Sequence, residues 1–409
     1  MMYFNRSTVR WAALALLAST ASIAVAQTTQ PQLTPASAEA FQQSLREAKP
    51  GQTVLTDLAS LNEIESIPLT LTRADDSPQY VLSDRPEYFR SGDGIAMQEQ
   101  VKPGTVRLYI YHVPEPSGAK KVIPAVIRND GDAPLTLKML RIGAPAPSGD
   151  YHKLAKQAMA SYFQSPGDSG EMIQFTLQPG ERRAIDEKLS SSVVTKDILV
   201  HGIYEFTIDQ PATITTFQKD PDAPIDVMDK LPKLPRVLPG FNASGAGRGL
   251  FVRSNVDVVI ADGGAYDTAS GVKKVIVADG KSDPWLEGRD SIDTSTPVMN
   301  KGNYGVMYRM KLKVKSTDGR DVALVMSINR TDSQWCKVAG AVVKVSDGRN
   351  PGGVVPLPAD SPRFRAIPEA CVIQTFAMEK GEEREIELTY SPPGACCLPT
   401  PILLVPISE

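Results

Sequence analysis

The stretch Gly302-Asn303-Tyr304-Gly305-Val306-Met307-Tyr308-Arg309-Met310-Lys311-Leu312-Lys313-Val314-Lys315 alternates with period two. Tyr304, Val306, Tyr308, Met310, Leu312 and Val314 fall on one side, and Met307, Arg309, Lys311, Lys313 and Lys315 on the other. Successive side chains of a strand point to opposite faces, so this pattern is that of a half-buried β-strand. A helix would instead scatter the lysines around its circumference.

The same grammar recurs to either side. Val106, Leu108, Ile110 and His112 alternate with Arg107, Tyr109 and Tyr111, and residues 121–142 read as strand, Asn-Asp-Gly-Asp turn, strand, a β-hairpin signal. Two segments break it with helical spacing. Ala40, Phe41, Leu45 and Ala48 sit within residues 36–49, ahead of a Pro50-Gly51 stop, and Leu154, Ala158 and Tyr162 lie within 151–163. The expectation is an all-β protein of two β-sandwich-like, immunoglobulin-like units with one or two short accessory helices. Residues 27–52 would be an N-terminal linker with a short helix, 53–218 the first sandwich and 250–409 the second. The proline-rich residues 219–249 would be a stiff, extended linker, because proline is excluded from central strands.

The start of the chain reads as an export signal. Arg6 and Arg10 precede the apolar run Trp11–Ala26, which ends in Ala-Val-Ala, so residues 1–26 are expected to be cleaved and the protein to be secreted or periplasmic. No later segment approaches the roughly 20 apolar residues of a membrane span. The formal net charge of −3 over 409 residues gives no footprint for nucleic acid. His112, His152 and His201 are the only histidines and lie far apart in sequence, which disfavours a histidine-rich metal site. No cofactor, metal ligand set or catalytic signature is read.

The halves echo one another. Residues 173–185 align with 373–386, superposing Gly180-Glu181 on Gly381-Glu382, and residues 128–140 align with 315–328. Glycine at the shared position supplies the positive φ of a tight turn between strands.

The segment Gly302–Ile328 resembles a recurring element of a family of secreted proteins of unknown function known mainly from cyanobacteria, in which a Gly-Asn-Tyr-Gly strand is followed by a polar turn and another strand. Residues 84–97, 126–140, 338–347 and 379–405 are similar to that family in the same order. The resemblance implies an exported β protein and brings no catalytic residue. The adjacent cysteines depart from the family's proline-rich strand.

Those cysteines, Cys396 and Cys397, join Cys336 and Cys371 in the C-terminal fifth. An even number of cysteines in an exported chain reads as disulfides. Neighbouring residues of a strand face opposite ways, so Cys336 and Cys371 are each expected to bond one of the adjacent pair, pinning the last strand. Metal-binding and redox spacings are absent.

The row Arg309, Lys311, Lys313 and Lys315 is a candidate surface for an anionic polymer, against the plainer reading of a solvated sheet face. Tyr109 and Tyr111 are candidates for stacking on sugar rings, against core packing. The acidic stretch 282–293 lacks the residue order of a calcium loop. Gly245–Gly249 lacks the Lys-Ser/Thr of a phosphate loop. The function these features favour is a non-enzymatic envelope or extracellular protein, structural or binding, with surface polysaccharide or a surface protein as partner. The alternative is a secreted carbohydrate-active hydrolase using loop carboxylates.

Overall fold

In a computed structural model the strand read from the alternation is present as Met307–Ser316, with Tyr308, Met310, Leu312 and Val314 buried. The structure describes residues 33–90, 92–166, 173–235, 245–328, 337–349, 352–396 and 398–408. The expected export signal lies outside them. Strands make up 44% of the chain and helices 11%, so the protein is all-β with a few short helices.

Among the described residues, two pairs of large sheets form the core, beside a small two-stranded sheet of Val338–Ala339 and Phe364–Arg365. An eight-stranded sheet runs in the order Pro297–Asn300, Leu286–Arg289, Arg248–Phe251, Gln79–Ser83, Gly104–His112, Val200–Ile208, Leu135–Gly143, Gln174–Leu177. It packs on a four-stranded sheet of Gly94–Val101, Ala212–Gln218, Ala125–Asn129 and Arg182–Ala184. The second pair is a seven-stranded sheet built around Met307–Ser316 and Glu382–Tyr390, and a five-stranded sheet centred on Asp321–Met326. The outer face of that five-stranded sheet is closed by the helix Ala38–Glu47, through Phe41 and Leu45.

Gly104–His112 shows why the two sandwiches are joined. Its Val106, Leu108 and Ile110 enter the core shared with the four-stranded sheet. Tyr109 and Tyr111 point the other way, into a core shared with Tyr308, Met310 and Leu324 of the second pair. The helix Tyr151–Gln164 adds Leu154, Met159 and Tyr162 to that same core. The eight-stranded sheet is therefore buried on both faces, and strict alternation of side chains divides its residues between two cores.

This corrects the domain division. The strands of residues 53–83 pair across the expected boundary: Thr53–Leu55 with Glu369–Phe376, Leu69–Arg73 with Asn255–Ile260, and Gln79–Ser83 with Arg248–Phe251. Residues Thr34–Glu409 form one compact unit. The proline-rich segment is not an extended linker in its described part. Residues Ile225–Lys230 form a 3-10 helix whose Met228 is buried against Ile95, Val126 and Phe217. Proline bars the segment from a ladder, yet one turn suffices to lay an apolar side chain over the four-stranded sheet.

The expected hairpin at 121–142 is an arch. Ala125–Asn129 lies in the four-stranded sheet and Leu135–Gly143 in the eight-stranded one, so the two do not pair. The echo is borne out in topology. In the first half, Ala125–Asn129 pairs with Arg182–Ala184 while Leu135–Gly143 pairs with Gln174–Leu177. In the second, Met307–Ser316 pairs with Glu382–Tyr390 while Asp321–Met326 pairs with Glu369–Phe376. Gly180 at φ +76° and Gly381 at φ +83° turn the chain from one sheet to its partner in each half.

Candidate functional site

A cleft of about 800 Å³ opens where the two sandwiches meet. Seven segments build it, Gly245-Ala246 and Arg363 among them. Asp84, Glu87 and Tyr88 follow the strand Gln79–Ser83, and Tyr109 and Tyr111 rise from Gly104–His112. Tyr304 comes from the Gly-Asn-Tyr-Gly turn, Gly394–Cys396 from the last loop, and Asp150, Tyr151 and His152 from the start of the long helix.

Local chemistry explains how each piece is held. Gly302, Asn303 and Gly305 all have positive φ, at +120°, +49° and +73°, which turns the chain sharply enough to drive Tyr304 inward. Asn300 grips both sides of that residue, its Nδ2 donating to the Tyr304 carbonyl at 2.8 Å and its Oδ1 accepting the Tyr304 N–H at 3.1 Å. The Tyr304 hydroxyl donates to the Cys396 carbonyl at 2.8 Å, tying this turn to the last loop. Asp150 caps the helix by accepting from the Lys153 N–H at 3.1 Å, and so sets Tyr151 and His152 in the cleft lining.

The floor carries polar atoms without partners. Asp84 is 5% exposed; its Oδ2 accepts from the Ala246 N–H at 2.9 Å, while its Oδ1 has no hydrogen-bond partner. His152 Nδ1 is buried and equally unpartnered. Burial first, and the neighbouring Glu87 second, hold the Asp84 carboxyl well above the usual carboxylate range. Burial raises Glu87 to about 7 and lowers His152 to about 4. The floor near neutral pH is thus a set of uncharged or weakly charged oxygen and nitrogen groups. Lys301 and Arg363 bring positive charge to the lining.

The sequence-predicted residues divide. Tyr109 and Tyr111 do line the cleft, but they are 1% and 4% exposed and packed against the His201 ring and Gly394. Their faces are not open to a sugar, which corrects the stacking role. The tyrosines of the lining that keep accessible surface are Tyr88, Tyr151 and Tyr304; sequence reasoning missed the first two, which only the acidic-aromatic cluster at 84–88 and the helix start at 151 could have signalled.

The basic row lies far from being an unpaired surface. In register, Lys311 faces Glu387, Lys313 faces Glu385 and Lys315 faces Glu383. Lys311 Nζ lies 3.1 Å from Glu387, and Arg309 grips Asp257 at 2.6 Å and Asp76 at 2.9 Å. The partner row was present in sequence as the alternation Glu383, Glu385, Glu387, but register alone could match the two rows.

Cys371 is a buried free thiol, not half of a disulfide, and its Sγ donates to the Gly51 carbonyl at 3.3 Å. The Gly51 carbonyl and the apolar core around Cys371, rather than a second sulfur, are what its side chain meets. Cys396 is buried, and burial raises its thiol to about 12. Cys336 and Cys397 lie outside the described residues. Among the described residues no group of three or more His, Cys, Asp or Glu side chains is placed to hold a metal ion, and no helix is long and apolar enough to cross a membrane.

No model of a known protein family matches the chain, and no curated protein does. Among solved structures, the M60 catalytic domain with the CBM51-1 and CBM51-2 domains from Clostridium perfringens ZmpB aligns over 75% of this chain and 34% of its own, at 10% identity and a TM-score of 0.14. The chain thus spans about a third of that protein. The CUB1-EGF-CUB2 domain of human MASP-1/3 aligns over 76% of this chain and 99% of its own, at 10% identity and a TM-score of 0.16. The STIV MCP aligns over 76% and 95%, at 8% and 0.16. Likeness at this level assigns no function.

Proposed function

We propose that the protein is an exported binding protein of the cell envelope or extracellular space, and that the cleft between its sandwiches holds a short segment of carbohydrate. The observation that carries this is the convergence of unpartnered polar atoms, Asp84 Oδ1 and His152 Nδ1, with tyrosines in one concave site. A buried polar atom without a partner costs about 1–3 kcal/mol, which a bound ligand oxygen or hydroxyl recovers. A cleft of about 800 Å³ falls within the range of small-ligand sites and suits a few linked sugar rings. Tyr88 and Tyr151 supply aromatic surface in its lining. The leader-like start of the chain and its resemblance to secreted proteins support the location. A glycan array probed with the chain from Gln27 onward tests this. Binding that is lost in Tyr88→Ala and Tyr151→Ala, each still folded, is expected; no binding to any glycan overturns the reading.

A second reading has one observation in its favour. Asp84 and Glu87 are two carboxyls in one cleft, the first held neutral and the second titrating near 7, an arrangement that suits an acid and a base for glycoside hydrolysis. Release of reducing ends from a bound glycan, abolished in Asp84→Asn and Glu87→Gln, would move the assignment from binding protein to hydrolase.

A further inference from the structure

We propose that Asp84 recognises the ligand as an uncharged carboxylic acid, its Oδ1 donating a hydrogen bond to a ring, glycosidic or carbonyl oxygen of the bound sugar. This rests on the cleft being a carbohydrate site and deepens it by fixing the polarity of one contact. The two oxygens of Asp84 differ in kind. Oδ2 accepts from the Ala246 N–H, so it is committed as an acceptor; Asp84 belongs to the cleft lining, and its buried Oδ1 has nothing to bond. No ion pair to Asp84 is present among the described residues, and a buried carboxylate left unpaired is far costlier than a buried acid.

The groups around it point the same way. On its own loop Glu87 opposes its ionisation and Arg85 favours it, and the Glu87 effect is the larger. The strand Gly104–His112 presents Tyr109 and Tyr111, and the turn before Met307 presents Tyr304, phenols all held neutral by burial. Lys301, Arg363, Asp150 and His152 stand elsewhere in the lining, with Asp150 3.9 Å from Arg363. An acid at this point pairs with an acceptor oxygen and rejects a ligand that offers only a donor.

Cellotriose, maltotriose and xylotriose serve as probes by calorimetry at pH 5 and pH 9, beside a carboxyl-carbon NMR titration of the wild-type protein labelled at aspartate. The expected result is binding of at least one probe at pH 5, weakened ten-fold or more at pH 9, with a carboxyl signal, assigned by its loss in Asp84→Asn, still protonated at pH 7. Asp84→Asn, whose amide cannot ionise, is expected to lose the ten-fold difference in affinity between pH 5 and pH 9. Glu87→Gln removes the negative neighbour and moves the loss of affinity to lower pH. Binding that is equal at both pH values, or an Asp84 carboxyl ionised at pH 7, overturns the inference and leaves the carbohydrate reading standing. Failure of all three probes at both pH values overturns the inference, while the array decides separately whether the carbohydrate reading stands.

Discussion

Gly394 lies so close to Tyr111 that a Cβ at residue 394 would stand 2.8 Å from the ring Cδ2, and 2.9 Å from the Tyr109 hydroxyl. The last loop thus rests directly on the tyrosines of the central strand. Gly394→Ala is expected to push the loop off them, at a cost of about 1–3 kcal/mol typical of overpacking. Urea unfolding measures the cost, and glycan binding should weaken in parallel, because Cys396 and Tyr304 move with the loop.

Arg107 spans the two sandwiches. From the eight-stranded sheet its guanidinium donates to Glu205 at 2.9 Å, to Asn255 Oδ1 at 2.9 Å and to the Ser254 hydroxyl at 3.2 Å. Arg107→Met leaves Glu205 without its buried partner and is expected to cost about 3–5 kcal/mol. Arg107→Met with Glu205→Met should recover much of that loss. Equal instability of the single and double variants would show that the contacts to Ser254 and Asn255 dominate instead.

The lysine row should behave as a neutralised surface. Lys311→Ala breaks an exposed, solvent-screened pair and is expected to leave the urea unfolding midpoint unchanged. Retention on a heparin column should be weak and little altered by Lys311→Ala with Lys313→Ala. A steep, salt-sensitive loss of retention would restore the row as a binding surface.

Cys371 should resist alkylation in the native protein, because it is buried and burial raises its thiol to about 12. Mass spectrometry without reductant is expected to show Cys371 modified only after denaturation. A cross-linked peptide containing Cys371 would contradict the free thiol.

Glu99 titrates near 7 because burial raises it above its unfolded value of 4.5. A carboxyl raised on folding stabilises fully below the unfolded value, and that contribution is lost as pH rises through about 7. Glu99→Gln should therefore leave stability unchanged at pH 4 and increase it at pH 8. His112 and His201, lowered by burial to about 4, act in the opposite sense: their contribution is present above 6.5 and lost as pH falls toward 4. Thermal melts of wild type and Glu99→Gln from pH 4 to 9 separate the two effects.

Sequence by itself determined the elements. Period-two alternation placed Met307–Ser316 and Gly104–His112, helical spacing placed Ala38–Glu47 and Tyr151–Gln164, and the Gly-Glu pairs marked the repeated turn. These are local properties, set by where consecutive side chains point. What tertiary structure decided was partnership. Whether Ala125–Asn129 and Leu135–Gly143 form a hairpin or an arch depends on which sheets bury their apolar faces, and the alternation is the same in both cases. The acidic row opposite the lysines, the single compact unit in place of two, and the buried thiol of Cys371 follow from register and from contacts between residues hundreds of positions apart. The cleft is the clearest case: in sequence Tyr304 reads as one more residue of the alternating strand, nothing marks Asp84 or Gly394 as its partners, and only the closure of two sandwiches on one shared sheet makes them a site.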